Sequence, residues 1–198
     1  MLQFPIYRDS QYLASRDLLD AQTYFLKRLR CGNRYLHGWG IVCGLRVVPA
    51  YDTRLPWGIR VCPGYALDPC GNEICISVAR VVDVRDYLWL RPAVRNAPAA
   101  VAYVAIKYTE EPRGLVVKTV SRCGCNEPVY EPSRIRDSSQ VDIVWSAPPK
   151  IDQAPTDICS DSTPLCPAPS STPYMYLASV VLPTSEGDPL TASLIYNQ

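Results

Sequence analysis

Hydrophobic residues recur every three to four positions in one long segment of the chain. From about Ser15 to Tyr35, Leu18, Phe25 and Leu29 fall on one stripe with Leu19 and Leu26 beside it, the pattern of an amphipathic helix. Ser15 is placed to cap this helix, and Asp17 lies in its first turn, where the helix dipole favours negative charge. Lys27, Arg28, Arg30 and Arg34 gather at the other end, where cations are favoured. The helix is expected to end between Gly32 and Gly38.

After Gly38 the spacing changes to that of strands. "GIVCGLRVVP" predicts the first and "WGIRVCPG" the second, followed by "YALD", "EICISV" and "RVVDV". Asp68, Pro69 and Gly71 occupy the first, second and fourth positions of a type I turn between two of these. "DYLWLRP" predicts a short helical turn that Pro92 ends. "AAVAYVAIKYTE" is the clearest strand, with "GLVVKTV", "SQVDIVWS", "YMYLASVVLP" and "LTASLIYN" as further ones. Between Ala147 and Pro173 stand seven prolines among Ser, Thr and Asp, which excludes helix and central strand. Such a stretch is a long surface loop inside a domain, because strand-like sequence resumes after it.

Together these patterns predict an α+β fold, an N-terminal helix docked on a mainly antiparallel β-sandwich or barrel-like body with a long Pro-rich loop. The expected segments are an arm and docking helix over 1–38, a β body over 39–146, the Pro/Cys-rich loop over 147–173, and closing strands over 174–198. On the docking helix, Leu18, Phe25 and Leu29 are expected to be covered by the β body or by a neighbouring subunit, since a free stripe is adhesive.

Charge narrows the function classes. Twenty basic and 19 acidic residues leave a net charge of +1, which does not ask for nucleic acid or an anionic membrane. No run approaches the ~20 apolar residues of a membrane span, and the N-terminus lacks the features of a secretory signal. The reading is a soluble, cytoplasmic protein. Thirteen tyrosines against two phenylalanines favour contact surfaces, where an apolar ring with a polar tip is useful.

Candidate chemistry is sparse. His37 is the only histidine, so a two-His metal site is impossible, and no nucleophile elbow or phosphate-cradling glycine loop is present. Glu110 and Glu111 are adjacent and point to opposite faces of a strand. A Cys-His pair of Cys43 with His37 is the sharpest enzymatic idea, but nothing in the spacing brings the two within reach. Cys31, Cys43, Cys62 and Cys75 lie in apolar or periodic segments and are expected to be buried. Cys123, Cys125, Cys159 and Cys166 sit in polar, turn-rich sequence, where three states stay open: a tetrahedral zinc site, disulfides between the first pair and the second, or no linkage.

One constellation carries more. A helix ending in Asn33, Arg34, Leu36, His37 and Gly38 is followed by Gly40, Ile41, Val42, Gly44 and Leu45, then by Pro63, Gly64, Ala66, Asp68, Gly71 and Ile74. This series resembles a family of small bacterial proteins of phage-tail-like contractile injection systems, most densely over about the first 80 residues. "EPSRIRD" and the closing "LIYN" are similar too. The resemblance implies a non-catalytic structural or adaptor subunit at the baseplate or fibre-attachment end, with other injection-system proteins as partners and a homo-oligomer among the assemblies. It makes Asn33, Arg34, His37, Gly38, Trp39, Gly40 and Gly44 a structural corner in which His37 and Trp39 fill the angle. Two other classes stay open. A receptor- or carbohydrate-binding module would place Tyr51, Trp57, Tyr65, Tyr87 and Trp89 on one open face. An enzyme would need a polar pocket around His37.

Overall fold

In the computed structural model, residues 3–50, 55, 57–90, 101–122, 125–148, 173–182 and 191–194 are described. The chain opens with an extended arm and then the helix α1, Ser15–Gly32. Ser15 is the first helical residue rather than the cap. Ala14 stands at the N-cap position, and Asp17 reaches back so that Oδ2 accepts from the Ala14 amide at 2.9 Å. The acidic first turn thus satisfies an orphan donor directly as well as through the dipole. The helix runs on without a break into a π-helical turn, Asn33–His37, and stops at Gly38, where φ is +76°.

Among the described residues ten strands follow, in three antiparallel sheets, none of them closed. The first sheet holds β1 (Gly40–Gly44), β4 (Gly64–Leu67) and β5 (Glu73–Ile76) in the order β1-β4-β5. The second holds β2 (Val47–Pro49), β3 (Gly58–Val61) and β6 (Arg80–Asp83) in the order β2-β3-β6. A 3-10 helix, Val84–Leu90, comes next, where a helical turn is predicted. The third sheet runs β10-β9-β7-β8, built from β7 (Val101–Arg122), β8 (Cys125–Val144), β9 (Met175–Val181) and β10 (Thr191–Leu194).

The stretch expected to be one strand, "GIVCGLRVVP", is two. Gly44 and Leu45 both take positive φ, +67° and +53°, and this left-handed pair turns the chain out of the first sheet into the second. The partner ribbon turns at the same place, because β1 pairs with β4 while β2 pairs with β3. Leu45 N–H donates to Pro63 O at 3.2 Å and Cys62 N–H to Arg46 O at 2.9 Å across the bend. A Cβ on Gly44 would overlap the Pro63 carbonyl oxygen, and one on Gly64 would overlap the Leu45 amide. Two strands cross this closely only where both lack a side chain.

All three sheets share one core. Leu45 at the bend and Ile59, Val61 and Ile74 from the first two sheets meet Val104, Ile106, Val141, Ile143, Leu177 and Val180 from the third. β5 shows the cause plainly: Glu73 and Cys75 face out while Ile74 and Ile76 face in, the period of two that a half-buried strand requires.

Three expected strands and the sequence between them form one hairpin. "AAVAYVAIKYTE" and "GLVVKTV" merge into β7, and "EPSRIRD" joins "SQVDIVWS" in β8. β9 accompanies β7 only over Val101–Ile106, and among the described residues the hairpin further out is a two-stranded ribbon with no other strand bonded to it. Pro112, Pro128 and Pro132 are accommodated there because each ribbon strand has one side free of ladder bonds.

Candidate docking surfaces

Helix α1 is joined to the body at its last turn. Asn33, buried, donates from Nδ2 to the Gly71 carbonyl at 3.0 Å and lies 3.5 Å from Glu73 Oε1. Gly71, at φ +84°, sits so close to the Arg30 carbonyl that a Cβ would overlap it. The turn offering this seat is ordered by Asp68. Its Oδ1 accepts from the amides of Cys70 and Asn72, each at 2.8 Å, while Gly71 N–H donates to the Asp68 carbonyl at 2.9 Å. Arg30 adds an ion pair to Glu110 at 3.3 Å and lies over the Tyr108 ring at 5.6 Å. Both charges are part-exposed, so the pair contributes only about 0–1 kcal/mol. The Asn33 bond and the Gly71 seat decide the joint.

From that joint the helix extends with no buried residue, and its stripe is open: Leu18 is 53% exposed, Phe25 67% and Leu29 52%. In the single chain, therefore, the β body does not cover the docking helix. The N-terminal arm contacts a different part of it, with the Phe4 ring tilted against Tyr24 at 5.3 Å between centroids and the Tyr7 hydroxyl donating to the Asp17 carbonyl at 3.2 Å.

At the corner, the polar tie is Asn33. His37 and Tyr35 are exposed, Arg34 is half-buried with its guanidinium 4.8 Å from the Tyr35 ring, and Trp39 and Gly40 are half-buried. Gly44 belongs to the bend between sheets rather than to the helix end. His37 and Cys43 are both exposed, on the π-helical turn and on β1.

The cysteines depart from expectation. Cys31, Cys43 and Cys75 are exposed, and Cys62 is half-buried. The reason for Cys43 and Cys75 is register: both pair with Tyr65, which places them in a row on the outer face of the first sheet. Burial, then a hydrogen bond with Glu73, pushes the Tyr65 phenol up to about 12. Burial, helped by Asp68, pushes the Cys70 thiol up and makes it a poor nucleophile. Cys123, Cys159 and Cys166, with the side chain of Cys125, lie outside the described residues, as do Tyr51 and the side chain of Trp89. Among the described residues no three His, Cys, Asp or Glu side chains are grouped to hold a metal ion. Nor is any helix among them long and apolar enough to cross a membrane. Trp57 is in the core and Tyr87 packs against it, so the aromatic set imagined for a binding face does not share one surface.

The ribbon is the second open surface, and the hydrophobic pattern marks only its "GLVVKTV" segment as strand. Leu115 pairs with Pro132 and Val117 with Tyr130, so these four share a face, and Leu115 and Tyr130 are largely exposed. Its base is polar. Glu111 Oε2 accepts from Arg113 and Arg136, each at 2.7 Å, and Oε1 accepts from the Ser138 hydroxyl at 2.8 Å. The Ser138 bond first, then the two guanidinium groups, hold the Glu111 carboxyl down to about 2. Inward of this, Tyr108 donates to Asp137 Oδ1 at 2.6 Å, and burial together with that bond raises its pKa. Lys107 pairs with Asp142 at 2.9 Å, which raises the lysine.

The helix stripe and the ribbon are thus the two open surfaces among the described residues. No family model matches the sequence, and no curated protein is similar to it. Among solved structures, the chain is similar to proteins of type VI secretion baseplates. One is a chain of the TssK-TssF-TssG baseplate subcomplex of the type VI secretion system, at a TM-score of 0.45 and 10% identity, covering 91% of this chain and 57% of that one. Another is a chain of the baseplate complex from the type VI secretion system, at a TM-score of 0.43 and 11% identity, covering 98% of this chain and 58% of that one. The chain thus spans less than two thirds of the length of either.

Proposed function

We propose that this chain is a non-catalytic structural subunit of a phage-tail-like contractile injection system, assembled in the cytoplasm into the baseplate, where it acts as an adaptor between neighbours. The observation that carries the reading is the uncovered stripe of α1, with Leu18, Phe25 and Leu29 all more than half exposed. A row of large apolar side chains on a helix anchored at its far end is an adhesive surface until a partner covers it. The motif series from Asn33 to Ile74 supports the same reading, since its residues build the helix seat and the bend between sheets rather than a reaction centre.

Co-purification from cells that make the whole particle tests it. The tagged chain should bring down sheath, tube and baseplate proteins in fixed proportion, and Phe25→Asp should bring down none while remaining folded. Phe25→Asp particles of normal composition would overturn the role of the helix.

A further inference from the structure

The open face of α1 has an order that restricts what can cover it. Leu18, Leu19, Gln22, Phe25, Leu26 and Leu29 are all exposed, and they recur at the three- and four-residue steps that align on a helix. The arm lies on the adjoining side, against Tyr24 and the Asp17 carbonyl, so no described residue covers this face. Its spacing is the first restriction. Leu18, Gln22, Phe25 and Leu29 are separated by four, three and four residues, the seam of a short coiled coil, and that order reads the same in both directions. Charge is the second. Asp17 and Asp20 make the start of the helix acidic, and Lys27 and Arg28 make its end basic. The third is the position of the body, which holds α1 only at its last turn, through Asn33, Gly71 and the Arg30 contacts.

We infer that the occupant of this face is a second copy of the chain, with the two α1 helices laid antiparallel about a twofold axis. Leu18 then meets Leu29 of the partner subunit and Gln22 meets the partner subunit's Phe25, each contact occurring twice. The acidic start of each helix lies along the basic end of the other, whereas a parallel pair would set like charges side by side. The two bodies come to lie at opposite ends of the pair, their joints about 25 Å apart at 1.5 Å per residue. A parallel pair would bring both bodies to one end. The contact is closed, because the same surface of each copy is used up by the other. One face of an 18-residue helix is smaller than the ~800 Å² per partner of a standard interface, so the dimer should dissociate on dilution in the micromolar range. The inference rests on the reading of α1 as a docking helix and names what docks.

Analytical ultracentrifugation of the full chain over about 1–300 μM tests it and should show a monomer passing to a dimer and no further. Phe25→Asp should stay monomeric throughout with its circular dichroism unchanged. Lys27→Glu together with Arg28→Glu keeps the apolar stripe and serves as the second variant. It sets acid against acid in the antiparallel pair and should weaken the dimer about tenfold. Adding Asp20→Lys to that variant should restore pairing. In a parallel pair the double change would only exchange one like-charge contact for another, so a dimer indifferent to it overturns the arrangement. A wild-type chain that remains monomeric at the highest concentration overturns the proposal outright. If that monomer still captures sheath and baseplate proteins through Phe25, a different subunit covers the stripe and the baseplate reading stands alone. A dimer with the expected charge response that captures none of them leaves the pairing standing and removes that reading.

Discussion

Gly71 and Asn33 hold the helix, and their contributions can be separated. Gly71→Ala adds a Cβ that overlaps the Arg30 carbonyl and strains a φ of +84°. Urea denaturation should show a loss of about 2–4 kcal/mol. Asn33→Ala leaves the buried Gly71 carbonyl unpaired and should cost about 1–3 kcal/mol, whereas Arg30→Ala should cost less than about 1 kcal/mol. An Arg30 effect as large as that of Asn33 would show that the ion pair carries the joint. Glu111 makes a different prediction. Its folded pKa of about 2 lies below the ordinary 4.5, so its stabilising contribution is present above pH 4.5 and is lost as pH falls through about 2. Carboxyl NMR should place its midpoint near 2, and Arg136→Met should move that midpoint upward.

Among the elements, α1 and the ribbon share an unusual property: each is exposed where an ordinary element is packed. Phe25→Asp should therefore leave the melting temperature of the isolated chain almost unchanged, since exposed positions usually contribute within about ±0.5 kcal/mol, while abolishing capture of partners. Replacing 113–134 by a two-residue turn should likewise leave the body folded, because the described residues of that span pair only with each other. A collapse of the body's near-ultraviolet circular dichroism would show that the ribbon is needed for the core. The sequence pattern revealed those elements whose side chains divide between core and water. β5 alternates, the Asp68 turn carries its own chemistry, and β9 is an apolar run interrupted only by Ser179. It marked "GLVVKTV" as a strand but not the ribbon that pairs it with β8, because the described outer residues, 112–117 and 128–137, are exposed on both faces and leave no alternation to read. The bend at Gly44–Leu45 was hidden for another reason: Leu45 takes a left-handed conformation that its residue type disfavours, and only the crossing strand at Pro63–Gly64 accounts for it. The cysteines on the first sheet misled because an apolar neighbourhood in sequence became an outward face in register.

At the scale of the whole molecule, the shared core has a consequence for how the chain reaches its native state. The first two sheets close on themselves within 40–83, through four local pairings. Contacts so near in sequence form early. Their inner faces, however, are covered by Val104, Ile106, Leu177 and Val180, and the last two are made long after the first sheets. A ribosome adding about 5–20 residues per second leaves that interval open for several seconds. During it the nascent chain displays Ile59, Val61 and Ile74 with nothing to cover them. Residues 1–90 made alone should therefore bind a hydrophobic dye and aggregate on concentration, and recovery should follow when the remainder, residues 91–198, is supplied in trans. A soluble, dye-silent fragment would mean that the early sheets find another cover. In the cell, the yield of this protein should then depend more on chaperone capacity during synthesis than on the stability of the finished fold.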